Sequence, residues 1–401
     1  MNWKEIIAQP LLILTLLLAA VLPLSQPLIP LVIVLLLAFY SWKGHWKFSW
    51  DLVRSSPEIL ALLGFYVYNV LGLIGTENYS KGFIHLEIKL SLFLLPWLIF
   101  ARSDLNLSKK KLINQTFIGA CLIYCIWLLG RSTFIYITKG QNEFSYELFS
   151  NGFHPSYLAM YLLLAIRLCY AEIQSIQTKL IIPYLLIIAV FVSCIVLLSS
   201  KINLFLLVFS FLYFFVEGFI RAKRKTYWIY TAAAFIGIIA VSVFYNPSIS
   251  ERAERSFQVF SNLNTVDKSD TESNAARILI WQSAWTLMKE HPMGVGVGDV
   301  NIELENQYRL DGFTGIESKK LNAHNQFLQT GVALGFPGLI SLLLLFILPI
   351  ISRNKRQSGI LMYFLVICFV NALVEGILET QKGVVFFGFF YCLLLKEDER
   401  I

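Results

Sequence analysis

Apolar runs of helical length follow one another along nearly the whole chain, near 9–24, 27–42, 57–75, 84–101, 112–138, 155–172, 179–199, 202–220, 226–244, 325–351, 359–378 and 383–396. Crossing about 30 Å of hydrocarbon takes about 20 mainly apolar residues, so the pattern predicts an all-α polytopic membrane protein of about twelve transmembrane helices. The first run, behind Met1-Asn-Trp-Lys4, has the look of a signal peptide, but a second begins at Pro27 with hardly any spacer. The pair therefore reads as a retained helical hairpin.

One connection, from about Asn246 to Ala323, holds most of the polar sequence, and a shorter polar stretch spans roughly 139–155. The chain thus divides into residues 1–245 with about nine helices, a polar loop at 246–324, and residues 325–401 with about three. All three are expected to act as a single membrane-embedded unit.

Composition strengthens this reading. Of 401 residues, 57% are hydrophobic and only 15% charged, and the mean hydropathy is +0.65, a balance suited to lipid as solvent. Basic residues cluster at Lys43, Lys47 and Arg54; at Arg102 and Lys109 to Lys111; at Arg221 and Lys223 to Lys225; and at Arg353, Lys355 and Arg356. These clusters fall in alternate loops, which places them and both termini in the cytoplasm and the long loop on the opposite side. They account for most of the net charge of +7, which leaves little reason to expect nucleic acid as a partner. Six cysteines, Cys121, Cys125, Cys169, Cys194, Cys368 and Cys392, all lie in predicted helices. Their spacing yields neither a disulfide framework nor a zinc site.

Within the long loop, "DTESNAARILIWQSAWTLMKEHPMGVGVGDV" predicts a helix. Ser273 or Asn274 can cap its start, Asp270 and Glu272 suit its positive end, and Pro292 with the glycines that follow stops it. On a 3.6-residue period Arg277, Trp281, Ala284, Trp285 and Met288 share a face. Two readings stand: an amphipathic helix at the membrane surface with Arg277 snorkelling to lipid phosphate, or an arginine gripping an anionic ligand. The "GVGVG" at 294–298 follows a helix rather than a strand and lacks a Gly-Lys-Ser/Thr ending, so it reads as a flexible turn and not a nucleotide loop.

His324 stands in "KLNAHNQFLQTGVALGFPG" among Asn322, Asn325 and Gln329. A histidine opening a helix can be a cap or a packing residue, but one among hydrogen-bonding groups near water is also a candidate general base. No HExxH, HxH or paired Asp-x-Asp motif accompanies it, so no metal site is expected.

Four stretches taken in order, "ARILIWQSAW", "HPMGVGVGD", "NAHNQFLQTGVALGFPG" and "GILETQKGVVFFGFF", resemble the O-antigen ligase and polymerase family of integral-membrane glycosyltransferases, most specifically over 270–390. The resemblance implies a GT-C-like membrane enzyme that needs no cofactor or metal. Such an enzyme moves a glycan from undecaprenyl pyrophosphate to a hydroxyl on the periplasmic side of the bacterial inner membrane. It also implies that His324 activates the acceptor hydroxyl and that Arg277 binds the donor pyrophosphate. Where family members commonly carry a second arginine, this chain has Lys201 in "LLSSKINLF". That lysine is carried as a second phosphate contact, which keeps the charge but loses the bidentate fork. Asn322, Asn325, Trp281, His154, Glu379 and Gln381 are candidate substrate contacts.

Simpler roles stand beside these. Glu379 and Lys382 are spaced for an i,i+3 ion pair, Pro155 accounts for the surroundings of His154, and Glu87, Lys89 and Arg167 suit interhelical pairing or snorkelling. Glu375 joins Glu379, Gln381 and Lys382 among the polar residues expected at the outer end of a late helix. A lipid-linked sugar transporter would instead show polar residues at mid-membrane and repeat symmetry. Because the chain reaches "LLLKEDERI" directly after its last apolar run, a protein acceptor is less expected than a glycan one. Ligation of O-antigen to lipid A core is favoured over repeat-unit polymerisation.

Overall fold

A computed structural model describes residues 9–42, 44, 46–175, 181–221, 236–237, 240, 273–317, 321–351 and 359–396. The expected helix near 226–244 falls almost wholly outside these residues, as do the long loop up to residue 272, with Asp270 and Glu272, and the basic residues Lys4, Lys43, Lys223 to Lys225, Arg353, Lys355 and Arg356. The side chains of Lys47, Arg221, Ser273 and Asn274 are likewise outside the description.

Every regular element among the described residues is helical. Among the described residues, six segments are long and apolar enough to cross a membrane: Tyr79–Phe100, Leu107–Lys139, Pro155–Gln174, Ile181–Leu198, Lys201–Ile220 and Gln326–Ile351. Five shorter apolar helices accompany them: Pro10–Leu24, Leu28–Trp42, Pro57–Leu71, Gly359–Ala372 and Gln381–Leu395. Large apolar side chains such as Val34, Ile137, Leu186 and Ile351 are more than half exposed, as lipid-facing surfaces require. The protein is a multi-pass membrane protein.

Packing separates two units, Met1–Ile113 with Val259–Ile401, and Asn114–Gln258. In the first, α1 (Pro10–Leu24) and α2 (Leu28–Trp42) pair as a hairpin and are followed by α3 (Trp46–Arg54). Helix α4 (Pro57–Leu71) starts at a proline, with the Ser56 hydroxyl accepting from the Ile59 amide, a favourable start because proline has no N–H to leave unpaired. Asn78 caps α5 (Tyr79–Leu95) by accepting from the Lys81 amide, and a π turn at Pro96–Phe100 ends it.

Beyond the π turn, Arg102 is nearly fully buried, donating to Thr15 Oγ1 at 2.6 Å and to both oxygens of Asp104. It is a clamp across the helix end rather than only an exposed member of a basic cluster. Burial raises the Asp104 carboxyl, but Arg102 and Lys109 outweigh it and hold it down at about 2.

The second unit is built on α6 (Leu107–Lys139, from Asn114 onward), α7 (Tyr146–Ser150), α8 (Pro155–Ser175), α9 (Ile181–Leu198) and α10 (Lys201–Arg221). Helix α8 is buried on every side between residues 155 and 170, which explains an apolar run with no polar stripe. The Arg167 guanidinium lies 5.8 Å from the Tyr170 ring centroid and 5.9 Å from that of Phe214, so cation–π contact joins the packing roles expected of it. All six cysteines are free and buried.

The remainder of the first unit carries α11 (Ser273–Glu290), α12 (Val300–Leu310), α13 (Thr314–Glu317), α14 (Gln326–Ile351), α15 (Gly359–Ala372) and α16 (Gln381–Leu395). Helix α14 lies along α4 and α11, and α16 along α5. Ile280, Ala284, Met288, Leu304, Tyr308 and Val332 sit in one apolar cluster. Helix α11 is therefore part of a folded core, and the expected stripe splits: Ala284 and Met288 are buried while Trp285 is 48% exposed.

The glycine stretch departs from expectation most clearly, for it is a close-packed clasp and not a flexible turn. Val295 and Gly296 donate backbone hydrogen bonds to Val332 and Ala333, and Phe336 donates back to Pro292. Gly294 and Gly296 have φ of 88° and 99°, and a Cβ on Gly294 would lie 2.5 Å from the Ala333 oxygen. Helix α14 breaks at Gly335 (φ 68°, ψ −167°) to receive this clasp. Asp299 completes it, accepting from the amides of Glu77 and Asn78 at 2.7 and 2.9 Å.

Candidate active site

The His324 segment is fixed through its backbone. The Ala323 amide donates to Gln329 Oε1 at 3.0 Å and its carbonyl accepts from Trp281 Nε1 at 3.1 Å. Two residues earlier, the Leu321 carbonyl accepts from the Tyr308 hydroxyl, and one residue later the His324 amide donates to Asn322 Oδ1. His324 itself has φ of 42°, a left-handed conformation that histidine and asparagine tolerate better than most residues. Asn325 then caps α14, its Oδ1 accepting from the amides of Phe327 and Leu328. The sequence put Asn322, Asn325 and Trp281 among candidate substrate contacts; here their polar groups hold the chain that presents the imidazole.

The side chain of His324 is 28% exposed, and its Nδ1 stands 3.5 Å from Glu375 Oε2. The other oxygen of Glu375 accepts from Arg277 Nη2 at 3.1 Å. Arg277 and His324, far apart in sequence, thus converge on one carboxylate whose side chain is only 7% exposed. With Nδ1 turned to that carboxylate, Nε2 is the ring nitrogen left for chemistry, a tautomer assigned from the geometry.

Glu375 and Glu379 occupy a turn rather than the end of a helix, because α15 stops at Ala372 and α16 begins at Gln381. The expected Glu379–Lys382 pair does not form. Instead Lys89 Nζ lies 3.0 Å from both Glu379 oxygens, His85 Nδ1 lies 3.3 Å from Oε2, and the Gln326 amide donates at 2.9 Å. The physical reason is that the turn points Glu379 inward toward α5, whereas an i,i+3 pair needs a continuous helix. Burial alone would raise the Glu379 carboxyl, but Lys89, His85 and Gln326 hold it down at about 2. Gln326 also accepts from the Leu378 amide, so α14 and the glutamate turn are locked together two residues beyond His324.

His85, Lys89, Glu379, Asn69, Gln329 and Thr330 line a cavity of about 10 Å³, room for a single water. The sequence marked Lys89 for pairing but did not identify its partner, and it passed over His85 altogether. The available signal was period: His85 and Lys89 are one turn apart on a helix that is otherwise mainly apolar.

Gln381 opens α16, half-buried, while Gln326 supplies the amide that bonds Glu379. Lys201 and His154 belong to the second unit. There Lys201 opens α10 just after Ser199, at φ 50°, and Asn203 donates to Ser200 Oγ and to the Ser156 carbonyl. The first turns of α8 and α10, which follow His154 and include Lys201, are thus tied together within that unit.

The fold and the site together define a polytopic membrane protein in which an arginine and a histidine share one buried carboxylate. Residues 185–343 match the model of the O-antigen ligase family, Wzy_C. Over those residues the chain is similar to a domain of that family. The matched segment contains Lys201, Arg277 and His324, and Glu375 and Glu379 lie beyond it. No curated protein was found that the chain matches.

Proposed function

We propose that this protein transfers a glycan from undecaprenyl pyrophosphate to a sugar hydroxyl of lipid A core at the periplasmic face of the inner membrane, with both termini in the cytoplasm. The observation that supports it most is the convergence of Arg277 and His324 on Glu375, which sets a cation beside an imidazole. Attack by the acceptor oxygen at the anomeric carbon breaks the bond to the pyrophosphate oxygen. Its electron pair leaves with the lipid pyrophosphate, and the hydroxyl proton passes to Nε2 of His324. Arg277 meets the charge that develops on the leaving group, and His324 acts as general base. Lys201 is a second phosphate contact in this proposal, which requires Lys201→Ala to weaken donor use.

The deciding experiment is a surface-polysaccharide gel, with analysis of the lipid-linked pool, in a strain lacking the gene. Lipopolysaccharide without O-antigen, together with long glycan accumulating on undecaprenyl pyrophosphate, is the outcome for a ligase. A core bearing a single repeat unit, with no long chains on the carrier, assigns the protein to polymerisation instead. Unchanged glycans overturn both.

A further inference from the structure

A carboxylate withdrawn from water has to be met by positive charge or hydrogen-bond donors. Glu375 is 5% exposed, and Arg277 and His324 are among the groups that meet it. Arg277 Nη2 makes a direct hydrogen bond to Oε1 at 3.1 Å. His324 Nδ1, at 3.5 Å from Oε2, is near enough to feel the charge but makes no hydrogen bond to it. In the substrate-free protein the arginine therefore has the tighter hold on the carboxylate, and the imidazole has the looser one. A pyrophosphate, with more charge and more acceptor oxygens than one carboxylate, competes strongly for a guanidinium.

We infer that Glu375 couples donor binding to activation of the acceptor: the lipid pyrophosphate draws Arg277 away, and the released carboxylate closes on His324 Nδ1–H. Closing fixes the ring with Nε2 toward the acceptor hydroxyl and stabilises the imidazolium that forms as the proton arrives, the service a buried carboxylate performs for a catalytic histidine. Before the donor binds, the base is loosely held and the arginine neutralised. Glu375 is a positioning residue, since it acts through His324 and Arg277. The inference rests on the roles proposed above for those two residues.

Among the described residues, Arg277 reaches His324 through Glu375, and Glu379, on the same turn as Glu375, is met by His85 and Lys89 of α5. Lys89 and His85 already engage Glu379, which leaves Glu375 as the carboxylate that donor binding can redirect.

The test uses the full chain purified in detergent, with undecaprenyl pyrophosphate as the binding probe and its glycosylated form as donor. In the wild type, the acid limb of kcat at saturating donor is expected at higher pH than the acid limb of kcat/KM, because these report the donor-bound and free enzyme respectively. In Glu375→Gln the two limbs coincide and kcat falls at least tenfold, while the probe binds as tightly as before or several-fold tighter. Glu375→Asp restores part of the separation. Coincident limbs in the wild type overturn the inference without reference to any variant. So does a Glu375→Gln protein that loses probe affinity in proportion to its turnover. Failure of the underlying reading is distinct: it shows as transfer that survives His324→Asn.

Discussion

Trp281 Nε1 donates to the carbonyl of Ala323 at 3.1 Å, so the helix that carries Arg277 grips the chain one residue before His324. The bond makes the spacing between cation and base a property of the fold rather than of two independent side chains. Trp281→Phe keeps most of the packing and removes the donor. A lost hydrogen bond of this kind costs about 1 kcal/mol, so melting should change little, while loosened placement of the base should lower kcat about tenfold or more. Turnover at the wild-type level, measured beside a thermal melt, would show that the bond does not position His324.

His324 offers a cleaner separation of chemistry from structure. Its backbone amide, not its imidazole, makes the bond to Asn322, and its φ of 42° is one that asparagine also adopts readily. His324→Asn is expected to fold and melt as the parent does but to lose glycan transfer by about 10²- to 10⁴-fold. In vitro transfer from the lipid-linked donor is the assay, and retained activity would remove the general base.

The Glu379 cluster governs stability with pH. A carboxyl held at about 2 in the folded protein lies below the ordinary glutamate value of about 4.3. Its stabilising contribution is therefore complete above that ordinary value and is lost as pH falls through about 4 toward 2. Between pH 5 and 8 that contribution is full and constant, so this group should cause no change of melting temperature with pH there. Lys89→Met removes one partner of a buried pair and is expected to cost about 3–5 kcal/mol, part of which returns when Glu379→Gln is added. A Lys89→Met protein that melts with the wild type would contradict the pairing.

Gly335 is where α14 breaks. Its φ is 68°, and a Cβ there would stand 2.2 Å from the Pro292 oxygen. Gly335→Ala meets both backbone strain and a collision with main chain, each of which costs more than about 1 kcal/mol. Reduced yield of folded membrane protein and a lowered melting temperature are expected, and an unchanged melt would mean the clasp yields.

The helical frame could be read from the sequence because hydrocarbon demands it. With no water to satisfy backbone groups, each long apolar run has to close its own hydrogen bonds, so runs such as 155–172 and 325–351 could only become helices. Arg277 and His324 were legible for a related reason: a charge or an imidazole beside an apolar run is costly to keep and so stands out. Pattern could not find their common partner. The run 359–378 reads as one helix, and only packing against α14 and α5 opens it at Ala372 into the turn that sends Glu375 to Arg277 and Glu379 to Lys89. Glycines 294 to 298 likewise read as slack, since glycine permits both a loose turn and a tight approach, and only the neighbouring backbone at Ala333 distinguishes them. Periodicity reports what a residue does within its own element, whereas pairing between elements depends on distances that exist only once the chain is packed.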